Sequence, residues 1–231
     1  MCKQKFFTAG VAVIFMAVLL GRGGEIRAGE VFFAGGGPSA RALFLDFSGL
    51  NAHLSCAGFA GDFKLGGSAA LLMSGGGGFI GDRLRIGGAG AERSWTAPMN
   101  DSNFDRVELF FQYSGFLIEA LRKTKRGGIS IGGMLGGGRL SLRLSKVRAG
   151  SFEEIIKQPS SLELWREFFI VQPYLSTEFK LLDFLGLKLE VGFLFGLGQA
   201  DWKLADGTKV PGGPLSTIST PTLGLMLVFG G

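Results

Sequence analysis

The chain has 231 residues, a formal charge of +5, forty glycines and two cysteines. The first 28 residues carry Lys3, Lys5, Arg22 and Arg27 against Glu25, so a net charge of only about +2 remains beyond them, which selects neither nucleic acid nor another polyanion as a partner. Cys2 lies in that leader and Cys56 stands alone after it, which excludes an intrachain disulfide in the remainder and leaves burial and strand pairing to hold the fold.

Lys3 and Lys5 precede an apolar run from Phe6 to Leu20, and a polar stretch then ends at Ile26-Arg27-Ala28. This is the order of a secretory signal peptide. The run is too short for a spanning helix, which needs about 20 apolar residues. The reading is a signal helix over residues 1–28, with cleavage after Ala28, followed by a single β-barrel domain over 29–231.

Eight extended segments follow: Val31 to Phe47, Ala69 to Ile80, Arg83 to Trp95, Arg106 to Arg122, Ile129 to Lys146, Leu164 to Leu182, Leu187 to Gly198 and Thr217 to Phe229. The seventh shows the pattern best. Leu187, Leu189, Val191, Phe193, Phe195 and Leu197 take one parity, while Lys188, Glu190, Gly192, Leu194, Gly196 and Gly198 take the other. A period of two is the signature of a strand, and its length suits a tilted strand crossing a bilayer in about 9–11 residues. Between the first two segments, Leu50 to Gly58 reads as a short helix capped by Ser48 and ended by Gly58. A further helical turn is expected over Ser151 to Gln158, before Pro159.

The connections alternate between short and long. Turns are expected at Gly81-Asp82, around Lys123 to Gly128, and at Phe184 to Gly186. The helix, Ala97 to Asp105, Val147 to Glu163 and Gln199 to Ser216 make the long connections. In an antiparallel up-and-down meander all short turns fall at one end. For the sixth and seventh strands, pairing Lys180 with Glu190 and Phe179 with Val191 is preferred over a register that sets Lys180 against Lys188. It leaves a three-residue loop, Phe184-Leu185-Gly186, with glycine at its left-handed position.

A leader followed by eight strands with alternating short turns and long loops resembles the small outer-membrane β-barrels of the OmpA or OmpX type. Trp95, Trp165 and Trp202, all at the long-loop end, match the interfacial aromatic girdle of such barrels. The alternating end of the last strand, Leu223, Leu225, Leu227 and Phe229, fits the family's closing strand, although Gly230 and Gly231 follow it. Stretches such as GGGPSARALFLDFSGLN are also similar to uncharacterised exported glycine-rich β proteins. Strand four departs from a porin-like pattern. Val107, Leu109, Phe111 and Leu117 make one face apolar, and Phe110, Phe116 and Ile118 make the other, so its lumen is expected to be packed rather than water-filled.

The chemistry-bearing residues read mainly as structural. Gly76, Gly78 and Gly81 match G-x-G-x-x-G, but the continuation from Asp82 alternates like another strand instead of opening a helix. His53 and Cys56, three apart and on one side of the short helix, supply half of a metal site with no recognisable partners, and read instead as part of a buried helix packing on the barrel end. The lone histidine lacks a nucleophile elbow. Glu108, Glu119, Glu178 and Glu190 are expected to face Lys180, Lys188 and arginines in salt-bridged interior networks rather than to act as acid–base pairs. Arg122, Lys123, Lys125 and Arg126 read as a solvated turn. No catalytic, metal or cofactor residue is assigned. The expected function is non-enzymatic: an exported barrel in or at an outer membrane, partnered by the lipid bilayer or lipopolysaccharide, with a surface-interaction role rather than an open pore. The alternative is a soluble periplasmic or secreted barrel holding a small apolar ligand.

Overall fold

The computed structural model describes residues 32–56, 68–80, 83–98, 103–124, 127–146, 161–198 and 201–229. The expected leader, the turn over Ser151 to Gln158, Gly58, Gly81-Asp82, Lys125 and Arg126 lie outside the described residues. The strands are β1 (Phe32–Phe44), β2 (Ser68–Ile80), β3 (Leu84–Pro98), β4 (Arg106–Thr124), β5 (Gly127–Ser145), β6 (Ser161–Leu182), β7 (Leu185–Gly198), β8 (Trp202–Leu204), β9 (Lys209–Val210) and β10 (Thr217–Phe229). One helix, α1 (Ser48–Cys56), follows β1. No helix among the described residues is long and apolar enough to cross a membrane.

Strands β1 to β7 pair in sequence with their antiparallel neighbours; β10 then pairs with β7 on one edge and β1 on the other. The sheet therefore closes on itself as an eight-stranded antiparallel barrel, the expected architecture, and closure leaves no strand edge open within the shared height of the wall. G-x-G-x-x-G lies at the end of β2, where Gly76 pairs with Gly88 and Gly78 with Ile86 of β3. Gly76 and Gly78 thus belong to a paired strand, as expected, while Gly81 lies outside the described residues.

The β6–β7 register differs from the expected one. Glu178 lies opposite Lys188, Ser176 opposite Glu190, and Phe179 opposite Leu187, with an irregularity between Lys180 and Leu182. The turn is Asp183-Phe184, and Gly186 lies within β7 without a positive φ. This pairing also avoids like charges. Lys180, set free from Glu190, is exposed at the short-turn rim and pairs with Asp183 at 2.7 Å. That hydrogen bond and the ammonium charge hold the Asp183 carboxyl below its ordinary range.

Strand lengths are unequal. β4 and β5 have 19 residues each and β6 has 22, against 13 for β1 and β10. The wall is therefore taller along β3 to β6 at the long-loop end. Above the last β6–β7 pair, Phe168 with Gly198, the freed edge of β6 is taken by β8, with Leu164 opposite Leu204, and β9 completes the hairpin.

Helix α1 covers that end. Asn51 donates its N–H to the Phe47 carbonyl at 2.8 Å, closing the first turn. Asp46, rather than Ser48, supplies the side-chain acceptor at the helix entrance: its Oδ1 takes the Ser48 N–H at 2.9 Å, which lowers the Asp46 pKa. Leu50 and Leu54 are buried. Phe47 meets Trp95 edge-on, with ring centroids 5.3 Å apart.

Candidate functional site

Alternation along each strand sends one parity into the lumen and the other onto the outer wall. The lumen is divided by height. Toward the long loops it is an apolar core of Leu43, Leu45, Val107, Leu109, Phe111, Leu140, Leu142, Phe168, Ile170 and Leu194, topped by Phe47, Leu50 and Leu54. Val107, Leu109, Phe111, Ile170 and Leu194 are each 0% exposed, so apolar side chains pack against one another at this height of the lumen.

Toward the short turns the lumen is charged. Arg41 pairs with Glu190 through Nη2, and its Nη1 donates to Gln172 Oε1 at 2.5 Å and to Tyr113 Oη at 3.4 Å. Arg85 bridges Glu119 at 3.1 Å and Glu178 at 2.9 Å. Lys188 pairs with Glu119, lies 3.8 Å from Glu190, and sits over the Tyr174 ring at 5.1 Å. Gln172 Nε2 donates to Thr222 Oγ1 at 3.3 Å. Gly132 makes room for this layer: a Cβ there would come within 2.7 Å of Glu119 Cγ and 2.9 Å of the Tyr174 ring.

Three cations thus meet three carboxylates, drawn from β1, β3, β4, β6 and β7. Buried charges survive only when paired and hydrogen-bonded, and a carboxylate held by an adjacent cation is poorly placed to exchange protons. Glu119, Glu178 and Glu190 therefore join the interior network as expected. Glu108 does not: it has the outward parity, opposite Thr96 and Arg143. Lys180 is also outside it.

The helix packs on the barrel end through its buried Leu50 and Leu54, while His53 and Cys56 are both on its exposed side. Among the described residues no group of three or more His, Cys, Asp or Glu side chains could hold a metal ion. Arg122 is exposed at the end of β4, and the side chains of Lys123, Lys125 and Arg126 lie outside the described residues.

The outer wall is the other notable surface. Its exposed large apolar residues include Ile86 on β3, Phe116 and Ile118 on β4, Ile129, Ile131 and Leu135 on β5, and Phe169, Leu175 and Phe179 on β6. Leu189, Val191 and Leu197 continue the band on β7, Leu223, Leu225, Leu227 and Phe229 on β10, and Phe44 on β1. Phe116 is 75% exposed and Val191 60%. Phe193 and Phe195 are half-buried and lean on each other, centroids 4.7 Å apart.

Where the wall is taller, its outer face turns polar. Glu92, Gln112, Arg139 and Glu167 form one cross-strand row over β3 to β6. The next row toward the short turns is Gly90, Ser114, Gly137 and Phe169, and the one after that is Gly88, Phe116, Leu135 and Val171. A groove of about 880 Å³ runs along the polar and small-residue rows.

The tryptophans do not form one girdle. Trp95 packs inward on Phe47, and Trp202 is buried, donating to the Pro214 carbonyl at 2.8 Å beneath Arg166. Only Trp165 has the outward parity; Arg139 and Lys203 both lie 4.5 Å from its ring centroid. The alternation in β6 could have separated Trp165 from the others, but nothing local in the sequence marks Trp202 as an inward anchor for its loop.

No protein-family model and no curated protein matches this chain. Among solved structures the chain is similar to Ail, the attachment invasion locus protein of Yersinia pestis, at 12% identity and a TM-score of 0.39, over 86% of this chain and 98% of that one.

Proposed function

We propose that the protein is an exported, membrane-embedded β-barrel whose wall crosses the lipid of an outer membrane and whose taller edge stands clear of it for surface contacts. The observation that carries this reading is the exposed apolar band. A water-soluble protein seldom leaves so extensive an apolar surface uncovered, whereas a spanning barrel requires an apolar band about 25 Å tall. The change from apolar to polar rows on β3 to β6 supports a lipid boundary at Glu92, Gln112, Arg139 and Glu167. Above it, the hairpin β8–β9 and helix α1 form a polar-rimmed platform suited to meeting another molecule.

The lumen supports a structural role instead of conduction or catalysis. Its upper half is filled by side chains, and its lower carboxylates are each held by cations. The bore is the barrel's core.

Fractionation tests the reading. The protein is expected to stay with the membrane after carbonate washing and to leave it only with detergent. Recovery of the wild-type chain as a detergent-free monomer would overturn the proposal, and an apolar ligand found in that monomer would favour a soluble carrier.

A further inference from the structure

On β6, β7 and β10 the outer face stays apolar down to the last pair of the sheet. Its two final cross-strand rows are Phe179, Leu187 and Leu227, then Leu182, Leu185 and Phe229. The turn beyond them adds Leu181 and Phe184, which are exposed, Phe184 by 60%. The neighbouring short hairpin ends differently. The outer face of β4 carries exposed Arg122 near its end, in the row of Ile129 and Thr177, whereas β6 runs on past Thr177 to Leu182.

We infer that this turn is a foot in the membrane surface, with Leu181, Leu182 and Phe184 inserted into the lipid leaflet on the short-turn side. The inference rests on the membrane proposal and extends it to a segment beyond the spanning wall. A turn's irregular backbone cannot enter hydrocarbon, where its polar groups would find no water. Asp183-Phe184 therefore stays at headgroup level while the apolar side chains reach the acyl boundary, as those of an interfacial helix do.

Lipid fits this surface better than a protein partner does. At the other end of the wall, the row Glu92, Gln112, Arg139 and Glu167 separates the apolar band from the platform above. Among the described residues, no row of charged or amide side chains separates the turn from the band on β6, β7 and β10, so the apolar surface of the turn is the band continued. Its two charges, Lys180 and Asp183, pair with each other at 2.7 Å and leave it no net charge to select a polar partner. Arg122 keeps the β4 side polar, so the depth of the barrel is set on the β6–β7 side.

Nitroxide labels on single cysteines test the inference in the full chain, refolded into vesicles of dilauroylphosphatidylcholine with Cys2 and Cys56 replaced by serine. Phe184→Cys reports on the foot, Val191→Cys on the wall, and Asp206→Cys, in the exposed turn between β8 and β9, on water. Collision of each label with oxygen, which concentrates in lipid, is compared with collision with a water-soluble nickel chelate. The oxygen-to-nickel ratio at position 184 is expected to be several-fold above that at 206 and to approach that at 191. Where Phe184→Cys does not fold, Leu181→Cys is expected to give the same result. A ratio at the foot equal to that at 206, or protection from both reagents by a covering protein, would overturn the inference, and a lipid-like ratio at 191 would then leave the membrane proposal standing. A water-like ratio at 191 would overturn both.

Discussion

Replacing Val191 with arginine places a charge at the point on the outer wall where the membrane proposal makes its strictest demand. Val191 is 60% exposed and lies opposite Leu175 on β6 and Leu223 on β10, both of which are exposed. It is six residues beyond Leu185, the first residue of β7. At about 3.3 Å per residue that is about 20 Å along the strand, or about 15 Å of height at a tilt near 40°. Half of a hydrocarbon layer about 30 Å thick is the same distance, so the membrane proposal puts Val191 at the midplane. Val191→Arg should therefore cost about 2–4 kcal/mol in folding from denaturant into lipid vesicles. Gln112→Arg, on the polar row of the taller wall, should cost close to nothing. Both can be read from the shift in denaturation midpoint followed by tryptophan fluorescence, with the slope unchanged. Equal costs at the two positions, or less than about 0.5 kcal/mol at Val191, would refute the placement of lipid around the band.

Two further outcomes follow from the lumen. Glu119→Ala removes the carboxylate shared by Arg85 and Lys188 and should destabilise the barrel by about 3–5 kcal/mol, because two buried cations lose a partner; a cost below about 1 kcal/mol in the same titration would show the network to be dispensable. Phe111→Ala should cost about 3–5 kcal/mol in that assay, yet planar-bilayer recordings should show no new conductance, since Val107, Leu109, Ile170 and Leu194 still fill the bore.

Much of the architecture is legible because it rests on local rules. Alternation at period two marks the eight barrel strands, turn-length alternation orders them, and Leu50 to Gly58 reads as helical because Ser48 can cap it and Gly58 can end it. The errors arise where distant strands decide. The β6–β7 register looks like a choice about the facing charges of one hairpin, but Lys188 and Glu190 are fixed by Glu119 on β4 and Arg41 on β1. That requirement leaves Lys180 outside and shortens the turn to Asp183-Phe184. Trp202 likewise follows its loop back over Arg166, a contact that depends on β6 rising above the rim.

The pairing of β10 with both β7 and β1 bears on the order in which the molecule can be made. Until that last described strand is seated, β1 and β7 each present an unpaired edge, an open template for the wrong partner. Arg41 and Glu190 are separated by 149 positions, so their ion pair is a late and non-local event that slows productive closure. However many of the strands from β1 to β7 have paired, two edges therefore stay open until β10 is seated, and the unclosed sheet is open to misassembly throughout that interval.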